Sequence, residues 1–594
     1  MDVLPPEVWG RVFGLLDPPS LARACCVCKA WRELGTQESV WAFVAERHQY
    51  TARGERSVQR ALQRYYYGAE HASAAAYFDE VRSFGDLCRK RHTLDTLWGT
   101  NAAPALDTTR DTLELRPQID YYRPSGSLED VWRIKIDPFE NCLIESHVHG
   151  GVRTLDIHSG EVLWRHEPPD ARPFPHLEFS DGWLVFDRDA PGHFEVWRSA
   201  RLVPDAHEAH RGEYIRYTIL DVPEMVRAYR MQFPTLAFVS IFDSYSEMDV
   251  ASKTLTRTVP LANTLHQHRN VSYIEFDDEH IFLVGFGFNR VSILHRDSGE
   301  VVWTLADHIK ERGVPDCYRA APLRTDDRHA LLLRQQVQVR PPRWVSYLAH
   351  WSPRDPTQLC YSWHAVHPDR DTETLVALGE SCILLIPKYK AMLRGEEVPN
   401  MRMYLLQSER DSRIFDEYEP EELAEALRHR RRPRQDSSGQ LSVANGRVAA
   451  VVESLTVLDL NAPTLGRTND GEPIQVPFAA YEWSDQPNAF DWYTGPIDQF
   501  RGCSCVQMDA TGIYCVTRQA LEREVGVAPD DFPPEYQQEA MRQDSSMVTG
   551  FHFDDRAKPP KALEKKSIVK QVLMPYPDPM EAWETETESW SQSV

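Results

Sequence analysis

Two periodicities divide the chain. Over roughly the first hundred residues, apolar positions recur at three- and four-residue steps, the spacing of helices buried along one stripe. From about residue 130 they come instead in short runs bounded by Gly, Asp, Asn and Pro, the pattern of strands and turns. At the start, Pro5 and Pro6 precede Glu7 and suit a first helical turn, where a missing N–H costs nothing. Val8, Val12 and Leu15 or Leu16 then share one helical side, leaving Glu7 and Arg11 to water. Asp17-Pro18-Pro19-Ser20 stops this helix. Ser20 is expected to cap a second, running through Leu21, Ala24, Cys25 and Cys28 to Trp31. Gly35-Thr36 breaks it, and Ser39-Val40-Trp41 opens a third.

Three short helices bury little surface, and chains below about 40 residues usually need outside support. Their apolar residues must therefore pack on the next domain or on a partner. The residues that carry a family resemblance are Leu4-Pro5, Val8, Phe13 with Leu16, Asp17-Pro18-Pro19-Ser20-Leu21, Val27-Cys28-Lys29-Ala30-Trp31, and Trp41. In this spacing residues 1–44 resemble an F-box. The resemblance implies docking on the Skp-family adaptor of an SCF-type ubiquitin ligase. It carries over Leu4, Pro5, Val8, Phe13, Leu16, Leu21, Val27, Cys28 and Trp31 as adaptor-contact or core residues, the two roles left unseparated. Cys28 is expected to pack. Cys25, Cys26 and Cys28 make a poor metal site, because helical neighbours diverge by about 100°.

Residues 45–100 read as a helical connector. The segments 56–67 and 74–84 contain neither Gly nor Pro, and Leu87, Leu94 and Trp98 fall near one side of a further helix. The run Arg89-Lys90-Arg91-His92 between them reads as a solvated face. Such a linker resembles those joining an F-box to a WD-repeat propeller.

The β-like region, about 120–555, contains one clear internal repeat. The segment from Val152 to Trp164 matches that from Val291 to Trp303, with a Ser-Gly-Glu turn in each, 139 residues apart. That offset is about three repeats of the roughly 40–45 residues typical of WD-type propellers. Polar turns ahead of apolar strands recur at Glu140-Asn141, Asp181-Gly182, Gln232, Asp278-Glu279, Asp327-Arg328, Gly379-Glu380, Asn445-Gly446 and Thr511-Gly512. These markers predict an all-β propeller of seven or eight blades, with eight favoured. The repeats resemble WD-like ones, but the Trp-Asp dipeptide is missing from the strand ends. Insertions are expected near 387–438 and 461–500. The first holds an expected helix from Tyr418 to Leu427, followed by the basic run Arg428 to Arg434. A solvated loop is one reading of that run, and a nuclear localisation signal or a phosphorylation site beside it the other. Residues 556–594 read as a mostly disordered acidic tail.

Composition narrows the function. Among 594 residues, 66 Lys and Arg face 89 Asp and Glu, a net charge of −23, which repels phosphate and argues against nucleic acid as a partner. The 11 cysteines form no framework, and the start lacks a secretory signal, so a reducing compartment is expected: cytoplasmic, with nuclear entry left open. The longest apolar runs, such as 281–288, fall well short of the roughly 20 residues of a membrane span, so no membrane partner is expected.

Catalytic signatures are lacking. Gly285-Phe286-Gly287 has no third glycine for a phosphate loop, and the chain contains no Gly-Lys-Ser/Thr, His-Glu-x-x-His or Gly-x-Ser-x-Gly. His147 with His149, and His266 with His268, are paired histidines without a third ligand in view. Cys503, Cys505 and Cys515 read as core cysteines rather than zinc ligands. No catalytic residue, metal or cofactor is therefore expected. The resemblance implies a non-catalytic substrate-recognition subunit. The F-box would dock on the adaptor and through it a cullin scaffold, and loops on one propeller face would hold an unknown protein target. There, Arg residues are expected to read phosphorylated or acidic motifs. The alternatives are a ligase-independent F-box scaffold and a propeller enzyme.

Overall fold

The computed structural model describes most of residues 5–98, 131–322, 331–341, 363–406, 439–460 and 503–519, together with strand backbone at 114–115, 118–122, 464–467, 473–475, 478–481 and 545–552. The first helices are α1 (Pro6–Gly14), α2 (Pro18–Ala24), α3 (Lys29–Gly35) and α4 (Glu38–Arg47). The connector supplies α5 (Val58–Tyr65), α6 (Ala75–Phe78) and α7 (Phe84–Leu97).

The caps correct two expectations. Asp17, not Ser20, caps α2: its carboxylate accepts the Ser20 N–H at 2.6 Å, which puts Ser20 inside the first turn. The helix expected to run through to Trp31 is two helices. It stops at Ala24, turns through Cys26 and Val27, and restarts after Cys28, whose extended backbone precedes α3.

The helices share one core with the propeller. Phe13, Leu21, Val40, Val44 and Ala45 are buried with Val58, Ala61, Tyr77, Phe78, Leu87 and Leu94, and the same cluster continues into Ala449, Val451, Val506, Ile513 and Cys515. Leu87, Leu94 and Trp98 do form one buried side of α7. The basic run on α7 is only partly solvated. Lys90 donates to the Tyr77 carbonyl at 2.8 Å, and Arg91 pairs with Asp95 at 3.2 Å. Asp95 also meets Arg447 of the propeller at 3.2 Å, and that guanidinium lies 4.7 Å from the centre of the Trp98 ring.

Five four-stranded antiparallel sheets span 131–166, 177–221, 226–260, 271–304, and 505–552 with Gln118–Tyr122 added. A sixth, eleven-stranded sheet holds two successive four-stranded meanders, 363–405 and 440–481. The inner strands are Val131–Asp137, Leu177–Ser180, Val226–Gln232, Val271–Phe276, Trp363–Asp369, Gln440–Ala444 and Cys505–Met508. Each neighbours the next and the last neighbours the first, so the ring closes as a propeller. Closure uses both sides of the region: Gln118–Tyr122 pairs with Ser545–His552, so chain ahead of the first sheet completes the last.

Among the described residues the ring counts six sheets, one of them holding two fused meanders, where seven or eight separate blades, with eight favoured, were expected. The physical reason is a bridging hairpin. Asp316–Pro322 and Leu331–Val339 pair with each other, the first also with Arg402–Leu405 and the second with Phe478–Tyr481. Two outer edges that would otherwise present unpaired N–H and C=O groups are thereby fused into one sheet. The marker at Asp327-Arg328 lies outside the described residues. The marker at Gly379-Glu380 is one strand out: Gly379 ends the second strand of its meander, whose first turn is 370–373.

The 139-residue repeat holds. Val152–Asp156 with Val162–His166 closes the first sheet, and Ser292–His295 with Val301–Thr304 closes the fourth, three sheets on. Of the expected 387–438 insertion, Tyr389–Leu393 is helical and Arg402–Leu405 is a propeller strand. The expected helix at Tyr418–Leu427, the basic run to Arg434, and the tail at 556–594 lie outside the described residues. Within 461–500, Thr464–Arg467 and Pro473–Gln475 form a two-stranded hairpin.

Candidate functional site

The first four helices sort their apolar residues onto two sides. Phe13 and Leu21 are buried, and Phe13 packs edge-on against Trp31 with ring centres 5.4 Å apart. Trp9 sits 6.0 Å from Phe13 and 6.1 Å from Trp31, and both tryptophans are half-buried. On the outer side Val8 and Val12 are about 40% exposed, Leu15 is 59% exposed and Val27 is 66% exposed. Pro5 and Cys28 are also exposed. The result is an apolar patch from the start of α1 to the α2–α3 turn, over a floor of aromatic rings. Patches of this kind on a folded domain mark contact sites, because water gains by their burial.

The nine residues singled out from the sequence therefore divide. Pro5, Val8, Val27 and Cys28 are open to a partner; Leu16 and Trp31 are half-buried; Phe13 and Leu21 belong to the core. Leu4 lies outside the described residues. Cys28 was expected to pack and does not: as the residue before α3 it points out of the short turn. Val12 and Leu15 were absent from that list, although both lie on the apolar side of α1 already marked by Val8. Leu15 is anchored from behind, its carbonyl accepting from the Arg47 guanidinium of α4.

A second built feature lies on the propeller axis. One or two residues back from the end of five neighbouring inner strands, a polar layer comes to one level. Lys135 donates to Glu178 at 3.1 Å, Arg230 reaches Glu178 at 3.0 Å and Glu275 at 2.7 Å, and His367 reaches Glu275 at 3.3 Å and the Tyr273 hydroxyl at 2.8 Å. These bonds tie neighbouring sheets to one another across the axis. Burial opposes charge on Glu178 and Glu275, but the flanking Arg230 outweighs it and holds both carboxyls well below the ordinary range. Burial pushes His367 and Lys135 down, so the imidazole is neutral at pH 7. No motif signalled this layer, because it is assembled from residues scattered between positions 135 and 367 of the sequence.

Among the described residues no group of three His, Cys, Asp or Glu side chains converges as a metal site. His147 is buried with both ring nitrogens unpartnered, and burial lowers it to about 3. His266 and His268 lie outside the described residues. Cys503, Cys505 and Cys515 are buried, the first and last at the seam between helices and propeller. No helix among the described residues is long and apolar enough to cross a membrane.

The class defined by this geometry is a small helical contact module built onto a β-propeller. Residues 1–47 match the family described as F-box-like, so an F-box-like domain precedes the propeller. Actin-related protein 8 of Oryza sativa, in subspecies indica and japonica alike, is 44% identical over 43 residues, which is 7% of this chain and 9% of either relative. The chain thus spans about a tenth of the length of these curated relatives. Among solved structures, the WD40 repeats of RRP9 cover 74% of this chain and 99% of theirs at 10% identity and a TM-score of 0.37. The Cps50 (Swd1) β-propeller domain of Myceliophteria thermophila covers 68% and 96% at 9% identity and 0.36, and Hsv2 of Kluyveromyces lactis 67% and 95% at 10% and 0.34.

Proposed function

We propose that the chain is a substrate-recognition subunit of an SCF-type ubiquitin ligase, docking through residues 1–47 on a Skp-family adaptor and presenting a target protein on the propeller. The observation that carries this reading is the apolar patch of Val8, Val12, Leu15 and Val27 on a module that matches the F-box-like family. Fully burying a Val or Leu side chain is worth about 1.5–3 kcal/mol, and these four are already partly covered, so their burial contributes part of the interface energy rather than all of it. The subunit does no bond chemistry itself. It works by proximity, raising the effective concentration of target lysines beside the ubiquitin-loaded enzyme. The continuous core from Phe13 to Cys515 suits that role, because it fixes where the target lies relative to the adaptor.

The test is co-purification with a Skp-family adaptor and a cullin, beside a Val12→Glu, Val27→Glu double variant. Binding lost in the variant supports the reading, and no binding by either chain overturns it. Rising abundance of a propeller-bound protein after depletion separates a ligase from a scaffold, in which abundance stays constant and assembly fails.

A further inference from the structure

The cysteines of the described residues divide by exposure. Eight of ten are buried, and the two exposed ones, Cys26 and Cys28, lie together in the α2–α3 turn on either side of Val27. Val27, 66% exposed, is the most open of the Val and Leu residues in the apolar patch. The preceding residue shows that this turn can hide a thiol. Cys25 is 9% exposed, and its sulfur lies so close to Gly35 of α3 that a Cβ there would come within 2.5 Å of it.

Burial also separates the thiols chemically. The thiolate is the attacking form in disulfide exchange, and an apolar surrounding disfavours it. Burial pushes Cys25 up, and Cys88 and Cys317 up to about 12. Cys26 and Cys28 are the two that a reagent in solvent can reach. The turn also selects the charge of that reagent. From Pro18 to Arg32 the chain carries Arg23, Lys29 and Arg32 and no carboxylate, within a molecule of net charge −23. Arg32 folds back over the turn, its Nε donating to the Cys25 carbonyl at 3.3 Å. Lys29, beside Cys28, meets Glu33 at 3.8 Å with both side chains largely in water, a pairing too screened to cancel its field. An anionic reagent is drawn to such a turn.

We propose that Cys26 and Cys28 form a thiol-modification site for an anionic low-molecular-weight disulfide such as glutathione disulfide, and that its occupation closes the apolar patch to the adaptor. The cysteine thiolate attacks one sulfur of the disulfide. A new S–S bond forms as the old one breaks, and the departing thiolate takes up the proton that the cysteine lost. One disulfide is exchanged for another, so no further oxidant is consumed, and a reducing thiol reverses the step. The tripeptide left on the turn carries two carboxylates, which a partner seated on Val8, Val12, Leu15 and Val27 would have to desolvate against apolar groups. The effect on docking rests on the adaptor reading above; the modification itself does not.

The test treats the full chain with glutathione disulfide, maps adducts by peptide mass spectrometry, and measures affinity for a Skp-family adaptor before and after. Adducts are expected at Cys26 or Cys28 ahead of every other cysteine. Affinity is expected to fall at least about tenfold and to return with dithiothreitol. Adaptor bound beforehand is expected to slow adduct formation, because the coupling between the two is reciprocal. Cys28 stands in the docking surface, so a Cys26→Ser, Cys28→Ser variant is compared only with itself: its affinity, whatever its value, is expected to be equal with and without the reagent. If that variant binds no adaptor, the wild-type adduct map and affinities decide alone. Adducts forming first elsewhere, unchanged wild-type affinity once the turn is modified, or an equal fall in the double variant overturns the proposal. Adducts at the turn of a wild-type chain that binds no adaptor even before treatment overturn the adaptor reading and leave the modification site standing.

Discussion

Val12 and Phe13 are neighbours on one helix and meet opposite surroundings, so substitution at the two should fail in different ways. Phe13→Ala removes a 2%-exposed ring from the shared core and should cost about 3–5 kcal/mol, seen as a lower urea midpoint with adaptor contact weakened only through unfolding. Leu15→Glu, at a residue 59% exposed, should leave the midpoint within about 0.5 kcal/mol and weaken adaptor binding by an order of magnitude or more. Finding both effects in one variant would mean the patch is structural. The spacing of Val8, Val12 and Leu15 was legible as one helical side, but not which way that side faced. Periodicity shows that residues share a side; the neighbours that cover Phe13, Trp31 of a later helix among them, decide what is buried. Turn chemistry was more local and so more readable. Gly160 and Gly299 of the Ser-Gly-Glu repeats both adopt positive φ, near 70°, and a side chain at Gly299 would strike Val259 of the next sheet.

The helix α7 is the element that couples the module to the propeller. Its Trp98 and Asp95 enclose Arg447, a buried guanidinium whose positive charge desolvation disfavours and whose nearby carboxylates support it. Removing Asp95 leaves the buried guanidinium with Asp459 still beside it, a partial loss of compensation of about 1–3 kcal/mol. Asp95→Leu should therefore destabilise the chain by roughly that amount and speed hydrogen exchange along α7 and in Gln440–Ala444 and Arg447–Val451 together. An Asp95→Leu, Arg447→Met pair should recover most of the loss, and failure of that rescue would show that charge pairing is not what binds the two elements. The sequence announced α7 through Leu87, Leu94 and Trp98, yet read its basic run as a solvated face. Single-chain charge patterns do not reveal a carbonyl brought alongside by the fold, which is what Tyr77 provides for Lys90; the Arg91–Asp95 pair, in contrast, is a local i,i+4 contact. The blade count failed for a related reason. Each marker identifies a turn, but pairing across edges by the Asp316–Pro322 and Leu331–Val339 hairpin is a non-local choice that turns do not encode.

At the level of the whole molecule, buried titratable groups make stability depend on pH, and the signs can be worked out group by group. His147 sits unpartnered in the first sheet and titrates near 3 when folded, against an ordinary value of 6.5. The unfolded chain therefore takes up its proton first, and stability is lost as pH falls below 6.5, by about 2 kcal/mol at pH 5. His364, pushed by burial to about 4, acts in the same direction. Asp137 opposes them: burial, only partly offset by the Tyr214 hydroxyl and turn N–H groups, raises it to about 6, so the folded chain binds its proton first and gains about 1 kcal/mol by pH 5. Net loss should appear as a falling thermal midpoint between pH 7 and 5. Below that window Glu178 and Glu275 take over, because folded carboxyls held low lose their advantage as pH drops through 4.5. His147→Leu should flatten the first decline and leave the second, whereas Arg230→Met should weaken the fold at neutral pH and blunt the second. If His147→Leu left the pH 7-to-5 slope unchanged, the orphaned imidazole would not be the group that charges on unfolding.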